Sequence, residues 1–95
     1  MASDVERFIR IEQYSGTKWS TVPLGERVRV WERVAAVADD GEHRLMFHIG
    51  YLDGVARGQR VTYLGKSFPI LEVSTSTRLT GLEVTCRSQA RPAAA

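Results

Sequence analysis

Glu26-Arg27-Val28-Arg29-Val30-Trp31-Glu32-Arg33-Val34-Ala35-Ala36-Val37-Ala38 (ERVRVWERVAAVA, residues 26–38) is the stretch that decides the fold class. Val30, Val34 and Val37 fall on one stripe at helical spacing. Against this, four valines and a Trp favour an extended chain, and Val28 alternates with Val30. Residue preferences alone balance. The neighbours break the tie, because the chain alternates with period two on both sides and no other segment reads as a helix. Residues 26–38 are therefore read as a strand, with a bulge near Trp31 to Arg33 where the alternation changes phase.

Upstream, Val5, Arg7, Ile9 and Ile11 share one face, and Phe8, Arg10, Glu12 and Tyr14 the other. Ser15-Gly16 breaks this strand, and residues 17–25 read as a long loop or ragged hairpin holding Pro23. Downstream, His43, Leu45, Phe47, Ile49 and Tyr51 alternate with Arg44, Met46, His48 and Gly50 in the clearest strand of the chain. Residues 60–63 and 67–74 flank a short hairpin connection, Leu64-Gly65-Lys66. In a last strand Leu82, Val84 and Cys86 alternate with Glu83, Thr85 and Arg87. Six short strands imply an all-β fold, a small antiparallel six-stranded β-barrel or sandwich with one long loop. Its expected core is Ile9, Ile11, Val28, Val30, Val34, Leu45, Phe47, Ile49, Val61, Tyr63, Phe68, Ile70, Val73, Leu82 and Val84. Residues 5–87 form the one expected domain, after a flexible lead (1–4) and before a mobile tail (88–95).

Ninety-five residues suffice for one domain. With 43% apolar and 25% charged residues, the composition excludes a wholly disordered or collagen-like chain. A net charge of +2 does not by itself argue for nucleic acid. No apolar run is long enough for a membrane helix, and a soluble protein without a membrane partner is expected. The single Cys, Cys86, excludes an internal disulfide and fits a reducing compartment.

Chemistry-bearing constellations are sparse. His43 and His48 point to opposite faces of one strand, so they do not share a metal, and no metal site or cofactor is expected. Asp39, Asp40 and Glu42 beside Gly41 read as a solvated hairpin turn, since the ligand spacing of a calcium loop is missing. Cys86 lies on the apolar face with Leu82 and Val84, where a thiol behaves as a small hydrophobe. No Ser sits in a nucleophile elbow, so no catalytic residue is assigned and the chain is not read as an enzyme. Arg27, Arg29 and Arg33, with Arg7 and Arg10, form a candidate basic contact face. Beside Trp31 and Tyr14 such a face suits single-stranded nucleic acid. Glu26, Glu32 and Glu12 interrupt it, which favours a mixed-charge solvated or subunit-contacting surface.

The second half of the chain carries a more specific pattern. Gly58, Arg60, Val61, Tyr63, Gly65, Phe68 and Ile70 spell G-x-R-V-x-Y-x-G-x-x-F-x-I, continued by Val73, Leu82, Val84 and Cys86. This resembles the head–tail joining (head-closure or stopper) proteins of long-tailed phages. Residues 8–13 and 31–38 are similar to the family's opening and second strands, so the likeness spans about residues 6–87. The resemblance implies a structural virion protein, assembled in the host cytoplasm and located at the head–tail interface. It would form a ring (hexamer or dodecamer) below the portal/adaptor ring and line the channel for packaged double-stranded DNA. Its further partners would be the tail terminator or tail tube proteins. A tail completion or terminator protein of the same connector is the neighbouring alternative, and a small-barrel nucleic-acid-binding module using Arg27, Arg29 and Trp31 is another. The family's long insertion between the second and third strands is replaced here by Asp39-Asp40-Gly41-Glu42 alone. The expected contact site is instead the loop holding Ser15, Gly16, Thr17, Lys18, Trp19, Ser20 and Thr21. As a free loop, residues 15–24 would reach about 16 Å, into the lumen or to an adjacent ring.

Overall fold

The computed structural model describes residues 7–75, 81–88 and 91–92. The expected lead, residues 1–4, lies outside them. Eight strands follow in chain order: β1 (Phe8–Tyr14), β2 (Trp19–Thr21), β3 (Val28–Val37), β4 (His43–Gly50), β5 (Arg60–Tyr63), β6 (Lys66–Thr75), β7 (Gly81–Arg87) and β8 (Arg91–Pro92). All pairings are antiparallel. Of residues 26–38, Val28–Val37 adopt the extended reading, Glu26 and Arg27 form a bend before it, and the protein is all-β.

Six strands close a barrel in the order β1-β3-β4-β7-β6-β5, with β5 returning to β1 through Arg10 opposite Thr62 and Ile11 opposite Val61. Two long strands make closure possible by changing partners along their length. The start of β6 pairs with β5 and its end with β7, across a register shift between Ile70 and Glu72. β1 pairs with β5 on one edge, and on the other with β3 and then β2. β2 and β8 lie outside the ring. The pairing of Lys66 with Pro92 and Ser67 with Arg91 was not expected from the tail's composition. It covers the edge of β6 that β7, whose pairing starts at Ile70, leaves open.

The core holds Ile9, Ile11, Val22, Leu45, Phe47, Ile49, Val61, Tyr63, Phe68, Ile70, Leu82, Val84 and Cys86. Phe47 is its centre, meeting Tyr63 and Phe68 edge-on at 5.4 and 6.4 Å. Val28, Val30 and Val73, expected inside, pack half-buried against this cluster. Val34 is a correction: it is 40% exposed. The register between β3 and β4 shifts between Val30 and Glu32, so Trp31 is the inserted residue. Beyond it the phase flips. Arg33 and Ala35 stand opposite the core residues Phe47 and Leu45, and Val34 faces out opposite Met46.

Candidate functional site

The segment expected to be a reaching loop lies flat instead. Of its two sequence readings it takes the hairpin, with β2 pairing along β1 from Glu12 opposite Thr21 to Tyr14 opposite Trp19. The Ser15 amide donates to the Lys18 carbonyl (2.9 Å), closing a turn with Gly16 at φ +98°. Past β2, the Val22 amide donates to the Ile11 carbonyl and the Ile11 amide to the Gly25 carbonyl. Buried Val22 pins this stretch to the core, and what projects are two exposed turns, Ser15-Gly16-Thr17-Lys18 and Pro23-Leu24, with Leu24 87% exposed at φ +63°. The expected 16 Å reach is therefore replaced by two tight turns.

On the outer face this hairpin meets Arg60 of the G-x-R-V-x-Y-x-G motif. Arg60 Nε donates to Glu12 Oε1 (2.8 Å), and Thr62 Oγ1 donates to the same oxygen (2.8 Å). The Arg60 guanidinium stacks 4.2 Å above the Trp19 ring, which leans on Tyr14 at 5.4 Å. Burial pushes the Glu12 carboxyl upward, but the hydrogen bonds from Thr62 and Arg60 and the charges of Arg60 and Arg10 outweigh it, leaving the pKa below its ordinary 4.5. Two groups of residues singled out separately in the sequence, the loop and the motif, thus form one cluster across β2, β1 and β5. The rest of the motif is structural. Val61, Tyr63, Phe68, Ile70 and Cys86 are buried, Val73 packs against them, and Leu64 (φ +52°) and Gly65 (φ +77°) make the turn. Gly58 (φ +94°) bonds through its amide to the Ile70 carbonyl.

The candidate basic face is split. Arg27 stacks 4.0 Å over the Phe8 ring, and Arg29 stands beside it opposite Phe8. Arg33, displaced from them by the bulge, is exposed and lies 5.6 Å over the Tyr63 ring. What remains outside is a cleft lined by Arg7, Arg29, Val30 and Trp31.

Trp31 itself is the feature the sequence hid. Its ring packs against the paired backbones of Gly50 and Gly81, with ring atoms 3.3 Å and 3.0 Å from where a Cβ on each would stand, and lies 5.4 Å from the His48 ring. Two glycines at neighbouring strand ends were the available signal, since they leave a side-chain-free shelf. His43 and His48 stand in opposite rows of β4, facing Val37 and Glu32 respectively.

At the β3–β4 turn, Asp40 Oδ1 accepts the Glu42 amide, and Glu42 takes Arg87 at 2.8 Å and Arg44 at 3.8 Å. The acidic run is thus a turn plus an ion-pair anchor. Burial pushes the Cys86 thiol up to about 12, which makes it a poor nucleophile.

β3 leaves an edge open. From Trp31 to Val37 every residue is exposed, and past Arg29 its second edge meets no strand among the described residues. Compared with known protein families, curated proteins and solved structures, the chain matches none of them.

Proposed function

We propose that the protein is a structural assembly module, a ring-forming head–tail connector subunit of a tailed phage or phage-like particle, positioned below the portal/adaptor ring. The observation that carries this reading is the union of the phage-like motif and the 15–21 hairpin in one outer cluster around Arg60, on a closed barrel. A closed barrel offers a rigid body, and ring assembly needs heterologous contacts at its periphery. The turn at Lys18, fixed by Trp19 on Arg60, is the contact point with a neighbouring ring or with the DNA in the channel.

Inactivating the gene in the particle-forming system tests this. DNA-filled heads and separate, normal tails are the expected products, seen by electron microscopy. Tails of aberrant length would point to the terminator alternative, and normal particles would overturn both. The cleft of Arg7, Arg29 and Trp31 favours a second reading, a single-stranded nucleic-acid module. That reading requires oligonucleotide affinity that falls steeply with salt and is lost in Trp31→Ala.

A further inference from the structure

The open edge of β3 has a composition that matches itself. Glu32 and Arg33 precede Val34, and Ala35 and Ala36 follow it. Two identical antiparallel strands related by a two-fold axis always oppose one residue to its own copy. Centring the axis on Glu32 or Arg33 opposes like charges, which destabilises a cross-strand pair. Centring it on Ala35 sets Ala against Ala but puts Arg33 against the β-branched Val37. Centring it on Val34 sets Val34 against Val34, Arg33 against Ala35 and Glu32 against Ala36, so each long side chain crosses a small one. Arg33 already leans over its own Tyr63 at 5.6 Å.

We propose that the β3 edge pairs with the β3 edge of a second copy of this chain, antiparallel and centred on Val34, joining the two barrels through one continuous sheet. Val34, 40% exposed, gives up its exposed surface in that pairing. The edge is isologous and self-closing, so it produces a dimer rather than a ring. It does not rest on the connector reading. The chain's own start is the competing occupant. Among the described residues β1 pairs with β3 at Phe8 and Ile9 alone, Arg7 is out of strand conformation, and a cleft lies between Arg7 and Val30–Trp31.

Cysteine scanning of the full chain tests the register. Opposed residues in an antiparallel pair have Cα atoms about 4.5–5.5 Å apart, within the span of a disulfide. Val34→Cys should form an intermolecular disulfide under mild oxidation, while Ala36→Cys, about four residues out of step with its own copy, should not. The unsubstituted chain, with only buried Cys86, is the control. Val34→Lys should remain folded by near-ultraviolet circular dichroism and weaken dimerisation at least ~10-fold in sedimentation equilibrium, as like charges meet at the axis. Equal cross-linking at positions 34 and 36, no cross-link at 34, or a cross-link that appears only after residues 1–6 are removed would each overturn the proposal. The last result would assign the edge to the chain's own start.

Discussion

Glu12 shows how a single side chain ties three strands together. Its carboxylate takes hydrogen bonds from Arg60 and Thr62 across the β1–β5 seam, and Arg60 carries the load on to Trp19 in β2. Glu12→Gln should cost about 1–3 kcal/mol at pH 7, the range for a partly buried charge-assisted bond. The depressed pKa means that the folded protein releases the Glu12 proton more readily than the unfolded chain does. Its contribution is therefore complete above 4.5 and disappears as pH falls through the lower, folded value. Denaturant unfolding at pH 7 and pH 3 should show the variant's deficit shrinking toward the acid side. Leu64 works in the opposite direction. It is 53% exposed and held at φ +52° in a turn whose two central residues both need positive φ. Leu64→Asn should raise stability by about 0.5–1.5 kcal/mol, read as a higher denaturant midpoint at unchanged slope. Gly65→Val in the same turn should lose about 1–3 kcal/mol.

The β3–β4–β7 sheet is registered by a bulge and a shelf. The bulge throws Trp31 out of the ladder, and the paired Gly50 and Gly81 leave the space it fills. A Cβ at Gly81 would run into the Ile49 carbonyl as well as the Trp31 ring, whereas one at Gly50 meets only the ring. Gly81→Ala should therefore cost about 2–4 kcal/mol and Gly50→Ala less, by thermal unfolding followed through Trp fluorescence. The sequence announced the strands far better than their partners. Period-two alternation located β1, β4 and β7, the Leu64-Gly65-Lys66 connection marked β5 and β6, the neighbouring strands decided β3, and the change of phase placed the bulge near Trp31. Keeping Val34 in the core nevertheless ignored that same bulge, which turns Val34 outward and sets Arg33 opposite Phe47. β2 escaped detection as a strand because three residues, Trp19, Ser20 and Thr21, are too few to show a period. Val22 was missed because Pro23 beside it reads as loop. The Glu12–Arg60–Trp19 cluster joins positions far apart in the chain, a proximity created only by barrel closure.

Closure is also what governs the molecule as a whole. Residues such as Glu12 and Thr62, 50 positions apart, have to meet before β1 has a neighbour on that edge. Pairing at such separation makes folding slow relative to helical proteins of this size. Refolding should lie in the millisecond-to-second range, and Val61→Ala at the seam should slow it more than Val34→Ala on the outer face, in stopped-flow fluorescence. The same seam puts a clock on biosynthesis. At about 5–20 residues per second, the ribosome needs roughly 3–10 s to travel from Glu12 to Thr62. Throughout that interval β1 has no β5 to dock against, and the nascent chain waits with Ile9 and Ile11 uncovered. Translation speed across the middle of the message therefore sets how long the newborn protein is exposed to proteases and to other copies of itself.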